Sequence, residues 1–261
     1  MPEGDTIFRM ARMLQRGLAG RTVTHVDSVF SELTRRGTAD ALCGRVIIQV
    51  TARGKHLLIW FSGNLVLRTH MRMHGAWHLY VAGERWRRPR AEMRIIIGTA
   101  GCEAVAFNVP VAELTTVRDL ERSAPVRDLG PDILSADFDA EEATRRIEAM
   151  PQTEIADALL DQTAIAGIGN IFKSESLYAA RVHPFAPVSR LTHDEVLRVI
   201  ERARRLMQAT ATERRAQFSV YGRAGQPCRR CGTSISRRAQ GLHRRLTYWC
   251  TRCQHAPAPA A

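Results

Sequence analysis

The apolar positions of this chain change their period once. After an opening stretch, Thr6–Arg16, where Ile7, Met10, Ala11 and Leu14 recur at helical spacing, they fall into short apolar or alternating runs. These are Thr22–Phe30, Arg45–Val50, His56–Phe61, Leu65–Leu67, Ala76–Val81, Met93–Ile97 and Ala104–Phe107, separated by glycine and polar breaks. Short strands with turns between them predict a sandwich or barrel. From Ser135 the period becomes helical. Asp139–Met150 predicts a helix stopped by Pro151, Glu154–Leu160 starts a second, and Asn170–Ala180 is a third that ends before Pro184. Thr192-His193-Asp194-Glu195 is a capping box opening a long helix to about Thr210. The expected organisation is α+β: a β-rich region over 1–118, a linker over 119–134, a helical region over 135–222, a cysteine-bearing module over 223–256 and a disordered Pro/Ala tail over 257–261.

A length of 261 residues allows one large domain or two to three small ones. A chain 45% hydrophobic and 25% charged fits a soluble globular protein. No run of 18 apolar residues is present, so no membrane-spanning helix is expected. The N-terminus has no charged-then-apolar signal segment, which makes the cytoplasm the expected location.

Charge adds more than composition does. The net charge of +12 is concentrated at one end: residues 201–261 carry 13 Arg against Glu201 and Glu213 alone, whereas residues 1–200 are close to neutral. That C-terminal excess is the footprint of a module that binds a polyanion. The cations are almost all arginine, with Lys55 and Lys173 the only lysines. A lysine kept in so arginine-biased a chain points to a position needing a compact point charge. The same argument counts Lys173 among the nucleic-acid-contacting candidates.

Cys228-Arg-Arg-Cys231 and Cys250-Thr-Arg-Cys253 form two CxxC pairs 18 residues apart. That spacing matches a closed, tetrahedral four-thiolate site for one structural Zn2+. A closed site is not a Lewis acid; it would staple a hairpin, Ser234 to Tyr248, that carries Arg237, Arg238, Arg244 and Arg245. A basic hairpin of this kind suits phosphates or a groove. Cys43 and Cys102 lie in apolar strand contexts and are expected to be small core residues.

The first five residues are Met1-Pro2-Glu3-Gly4-Asp5. Removal of Met1 would leave Pro2 as a free secondary amine beside a carboxylic acid. An α-amino group has a reference pKa of roughly 8, against about 10.4 for lysine, so far more of it is neutral and nucleophilic near neutral pH. Such an amine attacks a sugar carbon to give an iminium ion, with Glu3 placed to move protons. Alone, the same five residues are also an ordinary chain start. Three further motifs are open in the same way. Gly167-Ile168-Gly169-Asn170 fits a phosphate at a helix N-terminus or a generic helical hairpin. Lys55 follows a glycine turn, either gripping a ligand or lying on the surface. Arg72, Met73 and His74 lie in His70–Gly75, which serves either core packing or a wedge filling the gap left by an extruded base.

These pieces occur together and in order. Met1-Pro2-Glu3-Gly4, Arg53-Gly54-Lys55-His56-Leu57-Leu58, His70-Met71-Arg72-Met73, Leu129-Gly130-Pro131-Asp132, Asp161-Gln162, Gly167–Ile171 and the finger ending Cys250…Cys253-Gln254-His255 span nearly the whole chain. In this the chain resembles the bacterial formamidopyrimidine-DNA glycosylase/endonuclease VIII family, most of all its endonuclease VIII branch. The resemblance implies two lobes: an N-terminal β-sandwich with an N-terminal helix, then a helix–two-turns–helix domain with a C-terminal zinc-finger β-hairpin. Damaged double-stranded DNA would lie between the lobes. It implies Pro2 as nucleophile, Glu3 as acid/base, and Lys55, Asn170 and Arg245 as grips on phosphates, with Arg244 the alternative to Arg245. Arg72, Met73 and His74 would fill the void. A monomer without organic cofactor or membrane partner, associated with the nucleoid through DNA, is expected.

Two departures matter. Many members carry an acid at the sixth residue, where this chain has Thr6, with Asp5 one place early. The oxoguanine-processing branch carries an Asn-Asp-Pro-Arg-Arg-Phe-Gly segment, where this chain reads Asn108-Val-Pro-Val-Ala-Glu-Leu114 and lacks the Arg and Phe wedge. That favours oxidised pyrimidines as substrates, removed with successive β- and δ-elimination. The competing readings are a family member acting mainly as an abasic-site lyase and a non-enzymatic binder of DNA structure, which would need neither Pro2 nor Glu3.

Overall fold

The computed structural model describes residues 2–34, 41–212 and 217–255, so Met1 and the expected disordered tail lie outside the described residues. The chain divides into two units: residues 1–2 with 6–128, and residues 3–5 with 129–261.

The first unit is a β-sandwich closed by a helix. Helix α1 (Gly4–Leu18) precedes strands β1 (Val23–Ser28), β2 (Ile47–Arg53), β3 (His56–Phe61), β4 (Leu65–His70), β5 (Ala76–Val81), β6 (Met93–Thr99), β7 (Cys102–Phe107) and β8 (Val111–Thr116). The strands form two four-stranded antiparallel sheets, ordered β1-β6-β7-β5 and β2-β3-β4-β8. Period-2 alternation divides β7 between two faces: Cys102, Ala104 and Ala106 enter the main core, whereas Val105 and Phe107 face outward into a second cluster with Tyr80, Met93 and Ile96. The helical spacing of Ile7, Ala11, Leu14 and Leu18 puts all four into the main core beside Leu57, Ile59 and Ile97. Each of the larger three contributes about 1.5–3 kcal/mol from burial before entropy is counted. Leu14→Ala, at a fully buried position, is expected to cost about 2–5 kcal/mol.

Two features of this unit depart from the sequence pattern. Strand β8 is half-buried along most of its length, so it shows no alternation, and it pairs with β4 from His70↔Val111 to Leu65↔Thr116. The first part of the expected 119–134 linker is helical: Val117–Arg122 and Ala124–Arg127 are helices that bury Leu120 and Val126 against Leu58 and Val66. Cys102 is a core residue as expected, but Cys43 is exposed in a turn, so its expected burial is corrected.

The second unit packs α2 (Ala140–Glu148), α3 (Asn170–Ala180) and α4 (His193–Thr212) around Ile147, Ile165, Phe172, Leu177, Val196 and Ile200. Asp139 caps α2 by accepting from the Glu142 N–H. The predicted capping box is formed, with the Thr192 N–H donating to Glu195 Oε2 at 2.9 Å and the Glu195 N–H to Thr192 Oγ1 at 3.3 Å. The unit ends in a hairpin of β9 (Ile235–Gln240) and β10 (Arg245–Cys250). Tyr178 of α3 packs with Val220, Cys228, Ile235 and Cys250 in a small cluster of its own.

Candidate active site

The turn before α3 is built to receive a carboxylate. Gly167 has φ +105°, a conformation that side-chain-bearing residues rarely adopt. Its carbonyl accepts from the Gly4 N–H at 3.0 Å. Gly169 has ordinary φ but no room: a Cβ there would lie 2.3 Å from Glu3 Cδ. Into that space comes Glu3, 1% exposed. Its Oε1 accepts from the Ile171 N–H at 2.7 Å, and its Oε2 from Gly169 (3.1 Å) and Phe172 (3.3 Å). The α3 N-terminus, whose unpaired N–H groups suit a phosphate, thus holds an internal anion instead. Both carboxylate oxygens are fixed, one peptide away from the half-buried Pro2. Such a group can accept or return a proton without searching for its position. Asp5 is buried in the first turn of α1, and Thr6 is half-buried with its hydroxyl accepting from Arg9 Nη2.

Asn170, the first residue of α3, is buried, with Nδ2 donating to the Leu246 carbonyl at 2.9 Å. Its Oδ1 is a buried oxygen with no hydrogen-bond partner. Lys173, one turn on and expected to face DNA, lies in the interior instead. Its side chain is wholly buried, and Nζ donates to Thr247 Oγ1 at 2.7 Å. Thr247 in turn donates to Gln240 Oε1, and Gln240 Nε2 donates to Glu154 Oε2. Burial lowers the Lys173 pKa to about 8, against the pull of Asp157. Arg245 is half-buried, and its charge acts on Asp157, whose pKa burial raises. Arg244 is exposed at φ +46° in the hairpin turn. Arg238 is committed internally, paired with Glu154 at 3.5 Å and stacked over the Phe185 ring.

In the first unit, Lys55 stands at the apex of the β2–β3 hairpin. Arg53 pairs with His56 across a two-residue turn whose first position, Gly54, has φ +58°, the arrangement of a II′ turn. His56 and His70 face each other in the β3–β4 register with ring centroids 4.9 Å apart. Burial, the His70 ring and the charges of Arg68, Arg53 and Lys55 lower the His56 pKa to about 3. Burial, Lys55, Arg72 and Arg68 lower that of His70 to about 4. Both rings are neutral near pH 7, amid four cations. His70 Nδ1 accepts from the Arg72 N–H at 3.2 Å, which orders the start of the exposed segment Arg72, Met73 and His74. Arg72 takes φ +44° and Met73 is 56% exposed, so these side chains project from the loop and do not pack in the core.

Two buried side chains that hold the finger in place escape a sequence reading. Glu175 accepts from the Ser219, Val220 and Tyr221 N–H groups at 2.8–2.9 Å, fixing the connector to α3. Gln254 accepts from the Cys250 N–H and donates to the Val182 carbonyl. Neither sits in a local pattern that announces its role.

The sulfurs of Cys228, Cys231, Cys250 and Cys253 all lie within 4.8 Å of one another. Cys228–Cys253 are 3.9 Å apart and Cys231–Cys250 3.4 Å. A tetrahedron with metal–sulfur bonds of about 2.3 Å has sulfur–sulfur edges of about 3.8 Å, so the donor set fits such an ion. No helix among the described residues is long and apolar enough to cross a membrane.

Comparison with known proteins finds matches over most of the chain. Residues 1–110 match the formamidopyrimidine-DNA glycosylase N-terminal domain, 129–220 the formamidopyrimidine-DNA glycosylase H2TH domain, and 225–256 a zinc finger found in FPG and IleRS. The chain is 41% identical over 270 residues to the probable endonuclease 8 2 of Streptomyces coelicolor, covering 99% of this chain and 96% of that protein. It is 38% identical over 269 residues to the DNA-(apurinic or apyrimidinic site) lyase Nei2 of Mycolicibacterium smegmatis, covering 98% and 100%. Among solved structures, a complex of Lactococcus lactis Fpg with DNA containing an abasic site superposes with a TM-score of 0.83, at 21% identity over 98% of this chain and 100% of that one.

Proposed function

The chain belongs to the formamidopyrimidine-DNA glycosylase/endonuclease 8 family, and on that premise we propose that it is a bifunctional DNA glycosylase and abasic-site lyase of base excision repair, acting on damaged duplex DNA with oxidised pyrimidines preferred. After removal of Met1, the Pro2 nitrogen attacks C1′ of the damaged nucleotide. The C1′–base bond breaks, the base leaves with a proton, and the sugar ring opens to an iminium ion on Pro2. Elimination then breaks the C3′–O bond and next the C5′–O bond, releasing both flanking phosphates. Glu3 moves the protons of these steps. Lys55, Asn170 and Arg245 hold phosphates, with Arg244 as the alternative, and Arg72, Met73 and His74 occupy the space of the extruded nucleotide. The four cysteines would hold one structural Zn2+, which staples the β9–β10 hairpin and takes no part in the chemistry.

The observation that carries this reading is Glu3, buried beside Pro2 with three backbone N–H donors on its carboxylate. A DNA-structure binder has no need of that arrangement. The pyrimidine preference rests on residues 108–114: Val111 enters β8 directly opposite His70, with no Arg or Phe in the segment. One observation favours a second reading, in which abasic sites are the main substrate: a 38% identical relative is named as an abasic-site lyase. Base release and strand cleavage, followed separately on duplexes carrying dihydrouracil, 8-oxoguanine or an abasic site, test both readings. Glu3→Gln is expected to slow base release from the dihydrouracil duplex by about 10²–10⁴-fold. Base release at the wild-type rate would refute the acid/base role, and cleavage confined to the abasic duplex would establish the lyase reading.

A further inference from the structure

Residues 82–92 make a crossover that none of the proposed chemistry uses. Strands β5 and β6 both pair antiparallel with β7, which lies between them, so they run in the same direction. Their connection must therefore return to the starting end of the sheet, and it does so over the outer face. Trp86 packs there on Tyr80, Met93, Ile96, Val105 and Phe107, and its Nε1 donates to Glu103. Arg85, Arg87, Arg88 and Arg90 flank it within six residues.

Three of these guanidiniums are laid on rings: Arg87 over Tyr80 (5.5 Å), Arg88 over Phe107 (5.7 Å) and Arg90 over Trp86 (5.6 Å). For the exposed Arg87 and Arg90, stacking restrains the plane and leaves N–H groups to solvent, whereas Arg88 turns to Glu92. The nearby carboxylates are occupied. Glu84 accepts from the Val81 N–H, Glu92 from Arg88 and Asn108, and Glu103 from Trp86 while pairing with His25. Among the described residues, Arg88 alone of the four arginines meets a carboxylate. Arg85, Arg87 and Arg90 are exposed, around a groove of about 530 Å³ lined by Glu84–Arg90.

We infer that Arg85, Arg87 and Arg90 form a second, lesion-independent contact for the phosphates of duplex DNA. Arg87 and Arg90 are planar forks preordered on rings, Arg85 adds an exposed charge beside them, and none of the three meets a carboxylate among the described residues, a set that matches phosphate oxygens. Position selects DNA over an acidic protein. The register Ala76↔Phe107↔Met93 brings the end of the crossover to the sheet end from which residues 72–74 project. Two strand spacings, about 10 Å, separate Ala76 from Met93. Arg90 stands three residues before Met93, so a strand engaged by the 72–74 loop would run toward the arginines. The inference rests on the DNA-binding reading of that loop, but not on Pro2 chemistry.

Salt-dependent binding to a long undamaged duplex tests it, with wild type, R85A/R87A/R90A and R85K/R87K/R90K. The log–log salt slope is expected to shrink by about 1 per alanine substitution, and the lysine variant should keep most of it. Single-turnover borohydride trapping on a saturating, short abasic duplex should be unchanged by the alanine variant. A wild-type slope in the alanine variant would overturn the inference, as would equal losses in the lysine and alanine variants. Loss of trapping on the short duplex would also overturn it, because the arginines would then belong to the lesion site. Pro2→Gly should keep the full slope, so failure of the nucleophile assignment leaves this result readable.

Discussion

Glu3 and Lys55 are both charged and both proposed to serve one reaction, yet the molecule treats them differently. Glu3 is buried and held by backbone N–H groups: three of them at a helix start, in a space that only glycine leaves open. Lys55 is half-buried at a hairpin apex, among side chains: Arg53, Arg68, Arg72 and two histidines kept neutral. A group that passes protons must be fixed to a fraction of an ångström. A group that attracts a phosphate works through a field that tolerates small displacements. The acid is therefore expected to be sensitive to shape, and the cation to charge.

The largest effect should come from Gly169→Ala. The added Cβ would collide with Glu3 Cδ at 2.3 Å, so Glu3 must leave its three donors. Imine formation is expected to fall by about 10²–10⁴-fold, as when the acid itself is removed. The loss of stability is expected to be small beside that, about 1–3 kcal/mol from overpacking. Chemistry unchanged in Gly169→Ala, measured by single-turnover base release, would break the claim that the cradle serves the acid.

Stripping metal from the four-cysteine cluster should come next. A metal held by those four sulfurs would staple the β9–β10 hairpin, so its loss should cost Arg244 and Arg245 their setting. DNA affinity is expected to drop, and its salt slope to shrink by about 1 for each phosphate that the hairpin no longer grips. The 1–128 unit should keep its thermal transition, because its core contains none of those cysteines. Full duplex affinity after chelation would contradict the stapling role.

Lys55→Ala should weaken substrate binding about tenfold, or about 1.4 kcal/mol, and lower the salt slope by about 1. Lys55→Arg should restore most of it. An arginine as damaging as alanine would show that Lys55, like Glu3, depends on shape, and the contrast would fail.

The smallest effect concerns the histidines. Their folded pKa values, about 3 for His56 and about 4 for His70, lie below the ordinary 6.5. As pH falls below 6.5, the unfolded chain takes up protons that the folded chain refuses. Stability is then expected to decline from about pH 6.5 down to about 4 for His70 and about 3 for His56, and to be level above 7. The thermal midpoint measured at pH 7 and pH 5 checks this, and a His56→Asn/His70→Asn variant should flatten the difference.

What the sequence made legible is what local spacing encodes. The two CxxC pairs, the capping box at Thr192 and the helical stripe Ile7–Ala11–Leu14 each announce themselves within a few residues. What it hid is set by contacts at long range. Glu3 meets Gly169, Ile171 and Phe172 across more than 160 residues, so Gly167-Ile-Gly169-Asn170 has the pattern of a phosphate turn although the N–H groups of Gly169 and of the two residues after Asn170 serve an internal carboxylate. Helix α3 is buried nearly all round while carrying Asn170, Lys173, Ser174 and Glu175. As one of only two lysines Lys173 has the look of a DNA contact, whereas the side chain is spent on Thr247. Strand β8 escapes because a half-buried edge strand leaves no alternation to read.

The central claim is that Pro2 is the nucleophile, with Glu3 fixed beside it. Borohydride trapping on duplexes carrying dihydrouracil, 8-oxoguanine or an abasic site, followed by mass identification of the crosslinked peptide, tests it most directly. The account predicts a crosslink on Pro2, with Met1 absent, strongest of the two base lesions on dihydrouracil, and lost in Gly169→Ala. A crosslink on Lys55 or Lys173, or none on any duplex, would contradict it.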